Sequence, residues 1–337
     1  MQLAIPSFLL YLFNHKQISL FLQRSSVKSL TGDIILQTRN LSKRYKRRWA
    51  VHHLNLEVHR GDVFGFLGPN GAGKSTTIRM LLSLIRPTEG EVELFGHSLR
   101  ESRELALQSV GGIVEKPDFY LYLSAYRNLE IVGALQGGTT RTRIVEVLEL
   151  VGLKDRASDK VKTYSHGMKQ RLGIAQALLS DPQLVILDEP TNGLDPQGMK
   201  EVRQLILHLA RDRNKTIVLS SHLLNEIEMV ATRMAIINRG ELVVQGEVAA
   251  LLDAGENYLV VKAEPKTAMR RILTKQKAIV QNYVEKDGAF EVTMKFEDVS
   301  TLNRALVRGG VRVQSLVPRR SLEHYFLAIT ENQTSDR

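Results

Sequence analysis

Apolar and polar positions keep changing rhythm from residue 34 to about 245, and the changes mark out elements. Segments 34–41 and 51–58 read as two strands of a ribbon, joined by a basic turn at 43–48. Val63, Phe64, Gly65, Phe66 and Leu67 form a short run without a charge, the pattern of a buried strand. Ile78, Leu81, Leu82 and Ile85 then recur at helical spacing, predicting a helix over 76–85 that ends before Pro87. A turn at 87–90 and a short strand at 91–94 follow. Helical patterns dominate from 117 to 180, over 128–135, 142–151 and 169–179, and read as a helical insert. Residues 184–187 are four apolar residues after Asp181-Pro182, as in a strand of a parallel sheet covered on both faces. A helix at 197–211, a strand at 216–220, a helix at 223–230 and a hairpin of 235–238 with 242–245 complete the region. Strands alternating with helices predict a mostly parallel α/β sheet.

Beyond Leu252 the succession is different: a strand at 258–261, a helix at 267–276, a strand at 280–284, a turn at Lys286-Asp287-Gly288, a strand at 289–295, a helix at 299–308 and a strand at 311–316. That β-α-β-β-α-β order predicts a small ferredoxin-like α+β module. An amphipathic stretch at 321–329 closes it. The expected division is an extension at 1–30, an α/β region over 34–250 and an accessory region over 256–330. A length of 337 residues suits one large domain and one small one.

Composition removes several classes of chemistry. The chain has no cysteine, which excludes disulfides, thiolate zinc sites and thiol catalysis, and suits a reducing compartment. The net charge of +10 raises nucleic acid or an anionic membrane as partners. Its densest cluster is Lys43, Arg44, Lys46, Arg47 and Arg48 around Tyr45, which a solvated turn explains equally well. No zinc-finger spacing, aromatic RNA-binding signature or paired basic helix accompanies the charge, so no specific nucleic acid is expected. No stretch approaches the ~18 apolar residues of a spanning helix. Residues 1–30 carry Lys16, Arg24 and Lys28 without an acid. They read as an extension outside the fold, with a membrane-surface amphipathic segment as the alternative.

The candidate chemistry begins at Gly68-Pro69-Asn70-Gly71-Ala72-Gly73-Lys74-Ser75, a full match to the phosphate-cradling pattern G-x-x-x-x-G-K-[ST], followed by Thr76. Its context is the required one, a predicted strand before and a helix after. Backbone N–H groups and a helix N-terminus there face a polyanion. Lys74 can reach the β- and γ-phosphates, and the Ser75 hydroxyl can ligate Mg²⁺. Asp188 and Glu189 stand at the C-terminal end of the 184–187 strand, where ligands bind in open α/β sheets. Asp188 is the second candidate for Mg²⁺, through its water, and Glu189 is the candidate to polarise an attacking water. Ser165 and Gly167 open the helix beginning near 169, another N-terminus suited to an anion.

This ordered set resembles the ATP-binding cassette (ABC) family of transporter ATPases, over roughly 34–245, about two thirds of the chain. The resemblance implies ATP and Mg²⁺ as cofactors and a cassette–cassette or homodimer in the ATP state, in which Ser165 and Gly167 cap the γ-phosphate held by the partner. It also implies that Tyr45 stacks on adenine, with Trp49 as a nearby alternative. Asn192-Gly193-Leu194-Asp195 would link the two sites, and His222 would contact the γ-phosphate. Two departures stand out: Glu115 occupies the place of a glutamine that contacts Mg²⁺, and His166 and Met168 replace a small residue and a glutamine in the signature. No role is expected for the His166 imidazole. The tail from Pro318 looks like the end of the accessory domain in single-cassette ATPases of drug, antibiotic, lipid or polysaccharide exporters. The expectation is therefore the ATP-hydrolysing subunit of an exporter at the cytoplasmic face of the membrane, serving separately encoded transmembrane permease subunits. The rival is a soluble cassette ATPase acting on ribosomes or nucleic acid.

Overall fold

A computed structural model describes residues 33–115, 117–254, 256–286 and 288–321. The readings placed on residues 1–30, on Asp287 and on the stretch beyond Ser321 lie outside the described residues.

The strands are β1 (Ile34–Tyr45), β2 (Arg48–Leu54), β3 (Glu57–His59), β4 (Val63–Leu67), β5 (Glu89–Leu94), β6 (His97–Ser98), β7 (Val110–Ile113), β8 (Leu184–Leu187), β9 (Thr216–Ser221), β10 (Arg233–Asn238), β11 (Glu241–Glu247), β12 (Glu256–Glu264), β13 (Val280–Lys286), β14 (Ala289–Met294) and β15 (Arg312–Ser321). The α-helices are α1 (Lys74–Leu81), α2 (Arg103–Leu107), α3 (Ala125–Leu135), α4 (Arg141–Leu150), α5 (His166–Ala177), α6 (Pro196–Arg211), α7 (Leu224–Val230), α8 (Val248–Ala254), α9 (Lys266–Lys275) and α10 (Val299–Arg308).

The central sheet runs β11-β10-β4-β9-β8-β7, parallel except for the β10–β11 hairpin. Every residue of β4 and β8 is buried, as their apolar runs require. Alternate side chains of β4 feed different cores. Val63 and Leu67 join the cluster packed with α5, α6 and α7, while Phe64 and Phe66 join the cluster shared with β1, β2, β5 and α1. A strand sandwiched in this way cannot shift by one residue without exchanging the two sets. Its C-terminal end, where the glycine loop begins, is thereby fixed.

An antiparallel sheet of order β2-β1-β5-β6, with β3 on the lower half of β1, covers the second cluster. Here the ribbon departs from expectation. β1 continues to Tyr45, so the basic residues lie mostly in strands and the turn shrinks to Lys46-Arg47, with Lys46 at φ 52°. The returning arm is split in two, β2 and β3, with His53 at φ 48° just before the break.

In the last region the order is β13-β14-β12-β15 with every neighbour antiparallel, the arrangement of a split-βαβ sheet. Met269, Ile272, Leu273, Leu302 and Leu306 of α9 and α10 pack on it.

Candidate nucleotide site

The glycine loop joins β4 to α1. Gly73 is the N-cap of α1 at φ 109°, and a Cβ there would stand 2.5 Å from the Ala50 carbonyl oxygen. Only glycine meets both conditions. α1 therefore starts at Lys74, two residues earlier than the apolar spacing predicts. It ends at Leu81 because Ser83 turns left-handed, at φ 55°. Ser75 and Thr76 lie in the first turn of α1, and Thr77 Oγ1 donates to the Gly73 carbonyl at 3.0 Å.

Lys74 is almost fully buried, and its ammonium is aimed by the loop itself. Nζ donates to the carbonyls of Gly68 at 2.8 Å and Pro69 at 3.2 Å. The same nitrogen lies 3.3 Å from Glu189 Oε1. Glu189 sits just past β8 in a left-handed conformation, φ 46°, which turns its side chain towards the loop. Its other oxygen, Oε2, accepts from Asn192 Nδ2 at 2.9 Å. His222, directly after β9, places Nδ1 3.3 Å from that oxygen, close enough for an ion pair but not aligned as a hydrogen bond. Three elements thus deliver Lys74, Asn192 and His222 to one carboxylate. A pocket of about 170 Å³ opens beside it, lined in part by Thr191, Gly193, Leu194 and Met199.

Asp188 is buried, and its Oδ1 accepts from Ser220 Oγ at 2.6 Å. Ser220 Oγ in turn accepts the Glu189 N–H at 2.8 Å, so one hydroxyl on β9 fixes both acids of the neighbouring strand. Nothing local in the sequence distinguishes Ser220; its value comes from β8 and β9 lying side by side. Among the described residues, no Lys, Arg or His lies within ion-pair distance of Asp188. A buried carboxylate with no cationic side chain beside it has the chemistry to hold a metal cation.

The other expected residues fall less uniformly. Ser165 caps α5, its Oγ accepting the Met168 N–H at 3.2 Å, with Gly167 in the first turn. Asp195 caps α6 in the same way, accepting from Gly198 N at 3.1 Å ahead of Pro196. Tyr45 is 48% exposed near the tip of the β1–β2 hairpin, with the Lys43 ammonium 5.4 Å from its ring centre. Trp49 has two ring contacts, the Arg44 guanidinium at 5.1 Å and His52 at 5.0 Å, against one for Tyr45. Glu115 is exposed and ion-paired with Arg79 of α1. That partner neutralises the negative charge which glutamic acid brings to this position.

A glycine loop between a buried strand and a helix, in the same sheet as a strand that lies beyond β9 and ends in two fixed carboxylates, defines a phosphate-loop nucleoside-triphosphatase. The comparisons narrow this further. A family profile described as ABC transporter matches residues 51–192. The bacitracin transport ATP-binding protein BcrA of Bacillus licheniformis is 43% identical over 297 residues, covering 88% of this chain and 97% of that protein. An ABC transporter ATP-binding protein of Bacillus subtilis, YhcH, is 40% identical over 88% of this chain and 96% of its own. Among solved structures, a dimeric post-hydrolysis ATP-binding cassette, MJ0796 with ADP and Pi, superposes with a TM-score of 0.58 at 26% identity, over 64% of this chain and 99% of that one. The chain belongs to the ATP-binding proteins of ABC transporters, and is the ATP-binding and ATP-hydrolysing subunit of such a system.

Proposed function

We propose that this subunit energises export of an antibacterial peptide through separately encoded permease subunits at the cytoplasmic face of the membrane, working as a cassette dimer. The observation that carries the chemistry is the convergence of Lys74, Asn192 and His222 on Glu189 at the mouth of the glycine loop. Catalysis of this kind is positioning plus electrostatics. The loop amides and Lys74 bind the β- and γ-phosphates, Tyr45 stacks on adenine, and Glu189 orients the attacking water and takes its proton. His222 would donate to the γ-phosphate. Ser75 and Asp188 would hold Mg²⁺, which when bound offsets phosphate charge; Glu115 would join them only by leaving its ion pair with Arg79. Ser165 and Gly167 would complete the partner's site.

The peptide cargo is suggested by the relatives named for bacitracin transport, and by a lantibiotic transport ATP-binding protein of Streptococcus pyogenes that is 40% identical over 66% of this chain. No described helix is long and apolar enough to cross a bilayer, which accords with the membrane path lying in other chains. In a susceptible host, co-expression with the cognate permease should raise the inhibitory concentration of bacitracin or a lantibiotic, and Lys74→Ala should cancel the rise. An unchanged inhibitory concentration, with the protein instead co-sedimenting with ribosomes in a salt-dependent way, would favour the ribosome or nucleic-acid reading.

A further inference from the structure

The signature turn makes one further contact within the chain. His166, the first residue of α5, stands beside the cap Ser165, and its Nδ1 lies 3.0 Å from the Gly193 carbonyl oxygen. A carbonyl only accepts, so Nδ1 carries the hydrogen in this contact. The residue before Gly193 is Asn192, which grips Glu189 twice. Its side-chain amide donates to Oε2 at 2.9 Å and its backbone N–H to the Glu189 carbonyl at 3.1 Å.

The turn from 189 to 195 is held at one end by Ser220 and at the other by the Asp195 cap. Its middle borders the open pocket. Among the described side chains, His166 is the one from the helical insert that hydrogen-bonds to that middle. We propose that His166 is a positioning residue: through Gly193 and Asn192 it aims the Glu189 carboxylate. A small side chain at 166 lacks the reach, so the device belongs to this chain's own variant of the signature. The contact also ties the turn carrying Ser165 to the catalytic loop of the same chain. The proposal rests on Glu189 acting as the base.

The test is steady-state ATP hydrolysis by the full chain. His166→Leu removes the donor. His166→Asn restores it, because an asparagine amide nitrogen occupies nearly the place of Nδ1. A misplaced catalytic group costs rate rather than binding, so kcat should fall about tenfold in His166→Leu with KM for ATP within about twofold. His166→Asn should recover most of the rate. Parent-like kcat in His166→Leu would overturn the proposal, as would an equally slow His166→Asn. ATP affinity, read with a fluorescent analogue, reports whether each variant folds, and His166→Ala replaces any variant that fails to bind, under the same outcomes. Glu189→Gln run alongside keeps the two ideas apart: turnover surviving there defeats the base assignment whatever His166 does.

Discussion

At the scale of single residues, Glu189 is the best-supported group in the molecule, because cation, amide and imidazole all meet it. Converting it to glutamine keeps shape and size but leaves nothing to accept a proton. Glu189→Gln should bind ATP and lose turnover by about 10²-fold or more. Lys74→Ala should lose nucleotide binding itself, since among the described residues no other buried cation hydrogen-bonds to the loop carbonyls. Equilibrium binding and phosphate release measured on both variants check this, and near-normal turnover in Glu189→Gln would assign the water to another group. These residues were legible because each lies in an unbroken motif with a strand before it. Ser220 and the Asn192–Glu189 bond were not, because they exist only once β8, β9 and the following turn come together. The Glu115–Arg79 ion pair was equally hidden, because its partners lie 36 positions apart on different elements.

At the scale of elements, the apolar runs and helical faces predicted nearly every buried strand and long helix. What they missed has physical causes. β7 reads Val-Gly-Gly-Ile, with too few side chains to show a strand, and is defined by its parallel pairing with β8. The ends of β1 and β2 were hidden by charges that a two-stranded hairpin can leave in solvent. The junction of loop and helix gives a graded test. Gly71 and Gly73 both have positive φ, 81° and 109°, but only Gly73 has a neighbour within reach of a Cβ. Gly71→Ala should destabilise by about 1 kcal/mol, the cost of the backbone conformation alone. Gly73→Ala adds a collision with Ala50 and should cost on the order of 3 kcal/mol. Denaturant midpoints compare them, and equal losses would contradict the geometry.

A second element-scale test uses pH. Asp181, in the turn between α5 and β8, receives a hydrogen bond from Lys215 at 2.8 Å, which with Arg143 holds its carboxyl below the ordinary aspartate range. A lowered folded-state value means stability that is present above the ordinary pKa and lost as pH falls through the folded one. Asp181 is largely exposed, so the pair is worth only about 0.5 kcal/mol. Lys215→Met, which keeps the buried stem, should lower the urea midpoint slightly at pH 7, and the difference should shrink as pH falls below about 4. A gap that stays constant with pH would point to packing by Lys215 instead.

At the scale of the whole molecule, the site is incomplete in a single chain if the signature acts on another copy. Ser165 caps α5 and spends one lone pair on the Met168 N–H, yet Ser165 and His166 are exposed and the first amides of a helix have no partner within it. An ATP sandwiched between two chains would meet the glycine loop of one and this helix end of the other. The bound phosphates would also offset part of the +10 charge that otherwise makes two identical chains repel. Glu189→Gln, which stops hydrolysis, should therefore accumulate an ATP-dependent dimer on a sizing column, weakened by salt and absent with ADP. Adding Ser165→Arg places a bulky side chain at the helix mouth and removes the cap, at a cost of about 1 kcal/mol to α5. The double variant should remain folded and bind ATP as a single chain, but elute as a monomer. If it still dimerises with ATP, Ser165 is a helix cap and the γ-phosphate is closed by other groups; if Glu189→Gln itself never dimerises, the shared-site arrangement fails for this chain.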